Sequence, residues 1–218
     1  MSRRVNLPLS GYEPPFSLQP WQKYLQSNNC YAYAVGDFAS FRTEKSVPGA
    51  RSGRNRPHSY QHCRGLIDRV VSDNPRKVYK ASKYSRCMPG YYKIMMVSGG
   101  GDFHFYKQHG WIKHKVKPTD TWSSISSKYQ VSYASIRRTG PIRPGKTLYI
   151  KVNLWSHKRG WGTGPLLHDA CNRLIKDPST ACRRYQIDYN NYCGSLCVRN
   201  KGIRVGRLNS KRLHKNNK

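Results

Sequence analysis

The sequence is poor in acidic residues. Its 218 residues include 10 Asp and Glu against 40 Lys and Arg, which gives a formal net charge of +30 at pH 7. A fold does not require this imbalance, and repulsion between the cations opposes compaction. The charge therefore predicts a partner of opposite sign: nucleic acid, an anionic membrane, an acidic glycan or an acidic surface in a protein assembly. General adaptation for solubility is the alternative explanation.

The sequence also lacks long apolar runs. No segment approaches the roughly 18–20 consecutive apolar residues of a membrane helix, so we expect no transmembrane segment. The first six residues, MSRRVN, lack the apolar stretch of a signal peptide, so we expect synthesis in a cytosol, with the chain retained there or packaged from there. Apolar residues make up 37% of the chain, and 16 Tyr and 5 Trp supply much of the core-forming surface.

Seven cysteines leave one thiol unpaired if the other six form disulfides. In a reducing cytosol we expect free thiols or metal ligands, whereas disulfides suit a particle that is assembled inside a cell and later meets oxidising conditions. Zinc is an alternative for the last four cysteines, but their spacing lacks a two-residue knuckle at both ends. We prefer disulfides or packing, and we expect no metal and no cofactor. The four cysteines considered for zinc are Cys171, Cys182, Cys193 and Cys197.

Both ends of the chain have a composition of their own. Residues 1–20 are punctuated by proline and predict an extended N-terminal arm. Residues 201–218 contain seven Lys or Arg and no acid, which predicts a basic C-terminal tail.

Residues 111–153 look like an insertion. When they are removed, the strand predicted at 102–107 continues into the strand predicted at 154–158 as one hairpin. Insertion at a strand turn disturbs a host domain least. The host domain is then predicted to comprise residues 21–110 and 154–200.

The inserted segment has the pattern of a small β-α-α-β unit. Trp122, Ile125 and Tyr129 fall on one helical face, and Asp120 or Thr121 is suited to cap that helix. A short strand precedes this helix, and a second helix and a returning strand follow it.

Three blocks of this segment, VKPxDT, ISxKY and IRPGxxLYI, resemble a LysM domain when taken in this order. The resemblance implies binding of an N-acetylglucosamine-containing glycan, such as chitin or peptidoglycan, between the loop before the first helix and the loop before the last strand. Thr119 stands where the family usually has Gly, and Thr139-Gly140 replaces the usual Ala-Asn, so a packing module without sugar binding is the alternative. The implied glycan-binding residues are Pro118, Thr119, Asp120, Thr121, Trp122, Pro141, Ile142, Arg143 and Pro144.

The host domain carries a candidate thiol site. Cys30 precedes a helical stretch, and a helix N-terminus lowers the pKa of a thiol. His104 lies in a strand and His157 in the next one, in positions suited to a base and its orienting partner. This pattern resembles papain-like NlpC-type and CHAP-type cysteine hydrolases, whereas His114 has a similar context but belongs to the inserted segment. A buried thiol beside a core histidine is the alternative.

These observations predict an α+β fold: a papain-like NlpC-type host, an inserted LysM unit and extended basic termini. The chain is small, basic and rich in tyrosine, and in these properties it is similar to minor capsid proteins of large algal and amoebal DNA viruses. We therefore expect a structural, virion-associated protein with other capsid proteins as partners. An active cell-wall cysteine hydrolase anchored by LysM is one alternative. A basic protein that packages nucleic acid is the other, although no nucleic-acid-binding motif is present.

Overall fold

The protein is described by a computed structural model that covers residues 7–19, 21–38, 44–54, 63, 65–137, 140–160 and 162–206. Residues 1–6 of the predicted arm, Thr139 and most of the predicted basic tail lie outside the described residues.

The described residues form a mixed α and β structure around an antiparallel sheet. Six strands pair in the order β1-β6-β2-β3-β4-β5. No helix in the described part of the chain has the length and apolar character that crossing a membrane requires. The helices are α1 (Cys30–Val35), α2 (Leu66–Asp73), α3 (Trp122–Tyr129) and α4 (Tyr133–Arg137), and the strands are β1 (Val78–Ala81), β2 (Tyr91–Gly99), β3 (Asp102–Lys115), β4 (Thr147–Lys158), β5 (Pro165–Leu166) and β6 (Asn191–Arg199).

The stretch from Trp21 to Val35, which contains Cys30, forms two separate helical elements. Residues Trp21–Ser27 form a 3-10 helix with a kink, and α1 begins afresh at Cys30. The break arises at Asn29, whose side chain accepts a hydrogen bond from the N–H of Ala32 and so caps α1. All six residues of α1 are buried, so the helix lies inside the fold.

The sheet of the host domain is covered on both faces. On one face, α1 and α2 pack against apolar side chains of β2, β3 and β6, including Ile94, Met96 and Phe105. On the other face, Met95, Tyr106 and Trp155 form a second core with side chains from the segment that follows β5. Because neighbouring residues alternate between two buried faces, the middle of the sheet has no solvent-exposed side.

The predicted insertion is a continuation of the two longest strands. The pairing of β3 with β4 runs from Tyr106 opposite His157 outward to Lys115 opposite Thr147, with a register shift between His109 and Trp111. The strands predicted at 102–107 and 154–158 were therefore too short. The register shift lies at the predicted boundary at residue 111, and the same two strands continue through it without a linker.

The core of the inserted unit continues into the host. Buried residues of α3, α4 and the outer parts of β3 and β4, such as Ile125, Ile136 and Leu148, form one cluster with Leu174 of the host and Phe16 of the N-terminal arm. Phe16 also bonds to β3 through its backbone N–H and C=O. The arm, described from residue 7, is therefore part of the folded structure.

Three disulfides link the described cysteines, and the zinc alternative is wrong. Cys171 pairs with Cys182, so the four zinc candidates do not converge on one point. The other two disulfides are Cys63–Cys193 and Cys87–Cys197. Cys30 is the one cysteine left unpaired among the seven.

Candidate functional site

The first loop predicted to bind glycan begins beside the point at which the second loop ends. The N–H of Val116 donates to the carbonyl of Lys146 at 2.8 Å, and the N–H of Gly145 donates to the carbonyl of Val116 at 2.9 Å. These bonds close the end of the β3–β4 ribbon. Residues 117–121 follow β3, and residues 140–145 lead into β4. The structure therefore brings the predicted glycan-binding residues to one end of the module.

Asp120 holds the first loop in place. Its carboxylate accepts the N–H of Lys117 at 2.6 Å and Nε2–H of His114 at 2.9 Å. Because Nε2 of His114 carries the proton, Nδ1 accepts the hydroxyl of Tyr129 at 2.9 Å. Burial raises the pKa of Asp120, but the N–H of Lys117 and the contact with His114 outweigh burial, and the pKa lies below its ordinary value. His114 thus ties the loop to α3, which places it in the segment 111–153 as predicted.

Replacing Asp120 by Asn is expected to lower the midpoint of thermal unfolding by about 2–8 °C. The charge-assisted hydrogen bonds are worth roughly 1–2 kcal/mol net, and 1 kcal/mol corresponds to about 2–4 °C for a chain of this size. Asp68→Asn is the matched control, because Asp68 forms an exposed ion pair with Lys80 that contributes little. Calorimetry that finds equal midpoints for the two variants would contradict the role given to Asp120.

The remaining residues of the two loops divide into anchors and exposed side chains. Thr121 caps α3 by a reciprocal pair of hydrogen bonds with Ser124. Trp122 and Ile142 are half-buried and pack on the core of the module. The predicted binding residues left exposed, apart from Thr121, are Pro118, Thr119, Pro141, Arg143 and Pro144.

The segment 111–153 contains a single acidic side chain. Asp120 is the only Asp or Glu between residues 111 and 153, and its carboxylate is already engaged by Lys117 and His114. Hydrolysis of a glycosidic bond uses a pair of carboxyl groups, and the module does not contain a pair. Exposed loop backbone and prolyl rings fixed by anchored neighbours offer a preformed surface for a sugar chain.

Cys30 lies against the backbone of β3. Its Sγ contacts the carbonyl O of Phe103 at 3.7 Å, and the N–H of Phe105 is a further neighbour. Burial raises the pKa of the thiol to about 12, with a smaller contribution from the negative charge of Asp102; Lys45 and the N–H of Phe105 oppose the shift only in part. The thiol is therefore protonated at neutral pH, in spite of its place at the start of α1.

His104 and His157 form a hydrogen-bonded pair. Nε2 of His157 donates to the carbonyl of His168 at 3.0 Å, so its Nδ1 accepts from Nε2–H of His104 at 2.8 Å. Burial lowers the pKa of both histidines, of His157 to about 4 and of His104 well below its ordinary value. Both imidazoles are consequently neutral at physiological pH.

The structure brings together two of the three predicted catalytic residues. His104 and His157 are bonded, and Cys30 contacts the residues on either side of His104 in the chain. Within the described residues no hydrogen bond joins Sγ of Cys30 to either imidazole. The rings packed on His104 belong to Tyr106 and Tyr189 as well as His157.

Sequence reasoning missed the polar groups around Cys30. Asp102 accepts Nζ–H of Lys45 at 2.6 Å and the hydroxyl of Tyr189 at 3.2 Å. The position of Asp102, two residues before His104 in the same strand, was a usable signal, because alternate strand residues share a face. Lys45 and Tyr189 are remote in sequence and carried no signal.

Comparison with known proteins finds a match within the segment 111–153. The LysM domain family model matches residues 114–151. No curated protein and no solved structure matches the chain. A LysM domain indicates binding of a glycan, and the match covers β3 from His114, both module helices and the first part of β4.

Proposed function

We propose that this protein is a glycan-binding protein that holds N-acetylglucosamine-containing chains, of the chitin or peptidoglycan type, in the groove between residues 117–121 and 140–145. The match of residues 114–151 to the LysM family carries the proposal. The anchoring of the first loop by Asp120 supports it, because a preformed site loses less conformational freedom on binding. In this account the host domain is the scaffold that presents the module.

Substitution of Thr119 by Arg is expected to weaken binding of a chitin hexasaccharide at least tenfold. Thr119 is exposed in the first loop, so a long side chain there obstructs the groove without disturbing the core. The measurement is isothermal titration of the full chain with the hexasaccharide, which is neutral and therefore insensitive to the added charge.

Ser127→Arg provides the matched control for Thr119→Arg. Ser127 is exposed on α3, outside both loops, and the substitution adds the same side chain and charge. The proposal expects wild-type affinity for this variant. Equal loss of affinity in both variants, or no binding of the hexasaccharide by the wild type, would overturn the proposed groove.

A second candidate function is thiol hydrolysis of peptide or amide bonds by a papain-like host. The observation that favours it is the hydrogen bond between His104 and His157 beside the unpaired Cys30, since a thiol hydrolase orients its histidine with a third polar group. The raised pKa of Cys30 opposes it. Release of new amino groups from peptidoglycan by the wild type, abolished in Cys30→Ala, would establish the activity.

The virion-associated role and the packaging of nucleic acid are also proposals. The net charge of +30 supports both, because it calls for a partner of opposite sign. The three disulfides favour a setting that is oxidising at some stage.

The virion-associated role is tested by co-sedimentation of the protein with a purified particle at 0.5 M salt, a concentration that separates complexes held by exposed charges alone. Its absence from particles would reject the capsid role.

A further inference from the structure

The β3–β4 ribbon has a second face that the groove does not use. In the outer part of the ribbon, alternate residues such as Ile112, His114, Leu148 and Ile150 point into the module core. The residues between them are exposed on the side away from α3 and α4. We call this the outer ribbon face; it consists of Trp111, Lys113, Lys115, Thr147, Tyr149 and Lys151.

The outer ribbon face alternates aromatic rings with cations. Trp111 pairs across the strands with Lys151, and Lys113 pairs with Tyr149. Each aromatic residue therefore stands opposite a lysine and diagonal to the other aromatic residue. Trp111 is 42% exposed and Tyr149 is 50% exposed, both large values for such residues. Nζ of Lys113 lies 5.5 Å from the centre of the Tyr149 ring, so the cation and the ring form one surface.

Among the described residues, no acidic side chain forms an ion pair with a lysine of this face. The segment 111–153 contains nine Lys or Arg and one acid, Asp120, whose carboxylate is engaged in the first groove loop. Glu13, in the arm beside β3, is buried and accepts the N–H groups of Ser10 and Gly11. The face therefore presents positive potential and aromatic surface together.

The outer ribbon face leads directly to the groove. Lys115 and Thr147 form its last cross-strand pair, and the bonds between Val116 and residues 145–146 follow immediately. From Trp111 to Lys115, where β3 ends, the strand extends about 13 Å at roughly 3.3 Å per residue. One polymer chain held in the groove is thus able to run along the face.

We propose that the outer ribbon face binds the acidic units of the same glycan, and that the ligand of this protein is a polysaccharide bearing carboxylate or phosphate groups next to N-acetylglucosamine. The inference rests on the proposed function of the groove. Lysines attract the anionic groups, and the exposed faces of Trp111 and Tyr149 support the sugar rings. An acidic glycan uses the groove and the face together, whereas nucleic acid would use only the face, which is why the glycan is preferred.

The test compares three probes on the full chain by titration at 50 mM salt: the neutral chitin hexasaccharide, a hexasaccharide in which N-acetylglucosamine alternates with glucuronic acid, and a dT hexanucleotide. The face variant is Lys113→Gln with Lys151→Gln. The control is Lys23→Gln with Lys201→Gln, which removes the same charge; Lys23 also lies over a ring, that of Tyr24, but outside the segment 111–153. Thermal unfolding of each variant verifies that it is folded.

The proposal expects the wild type to bind the acidic hexasaccharide more tightly than the neutral one. The face variant is expected to lose about fivefold to tenfold for the acidic probe and nothing for the neutral probe, since two exposed charges contribute about 1 kcal/mol or slightly more. The control variant is expected to behave as the wild type.

Each other outcome has a separate meaning. If the neutral hexasaccharide binds but the face and control variants bind the acidic probe equally, the outer ribbon face is not a glycan site. If the dT hexanucleotide binds more tightly than the acidic hexasaccharide and only the face variant loses it, the face belongs to nucleic acid and the proposal is overturned. If no oligosaccharide binds the wild type, the proposed function itself fails.

Discussion

The Cys30 thiol is expected to react with iodoacetamide at pH 8 on the order of a thousandfold more slowly than an exposed cysteine. The thiolate is the reactive form, and its fraction at pH 8 falls by about that factor when the pKa rises from an ordinary value near 8.5 to about 12. Cys30 is only 5% exposed, which slows the reaction further. Because the other described cysteines are in disulfides, labelling without reductant reports on this thiol.

The control for the alkylation experiment is the same chain in 8 M urea without reductant, where one equivalent of label is expected to enter at the rate of a model thiol. Rapid labelling of the native protein would mean that Cys30 is a thiolate in an accessible site. The thiol-hydrolase alternative would then displace the account in which the host domain is a scaffold.

Removal of the Cys87–Cys197 disulfide by replacing both residues with Ala is expected to lower the thermal midpoint by roughly 8–20 °C. The two cysteines are 110 residues apart, and a cross-link closing a loop of that length stabilises by about 4–5 kcal/mol in the chain-entropy account. The bridge also fastens the segment before β2 to β6, at the position where β6 pairs with β1.

The matched comparison for this variant is replacement of Cys171 and Cys182 by Ala. Their separation is 11 residues, for which the same account gives about 3 kcal/mol. The expected order of midpoints is wild type, then the Cys171/Cys182 variant, then the Cys87/Cys197 variant. The reverse order would show that loop length does not govern the contribution of these bridges.

The LysM unit was predictable because its information is local. Trp122, Ile125 and Tyr129 mark one face of α3 within eight residues, and Thr121 caps it as expected. The length of β3 was not predictable in the same way. The regular alternation that signals a strand breaks at the register shift between His109 and Trp111, so two segments were seen where the structure has one strand.

For the candidate thiol site, the sequence predicted which residues to consider but not how deeply they are buried. Cys30 and His104 were identified by residue type and by their place at a helix start and in a strand. The level of burial could not be inferred, because it depends on how α1 seats against β3 after the whole sheet has formed. The disulfide pairing could not be inferred from the sequence either, because six cysteines allow 15 connectivities. The order of the strands in the sheet decides which cysteines lie close enough to pair.

The groove between residues 117–121 and 140–145 is proposed to bind N-acetylglucosamine chains. Amide chemical-shift mapping of the isotope-labelled full chain during titration with the chitin hexasaccharide tests it most directly. The account predicts that the saturable shifts cluster in these two loops, with Thr119 and Ile142 among them, and that the amides of Cys30 and His104 do not move. Saturable shifts confined to the host domain, or none at millimolar oligosaccharide, would contradict it.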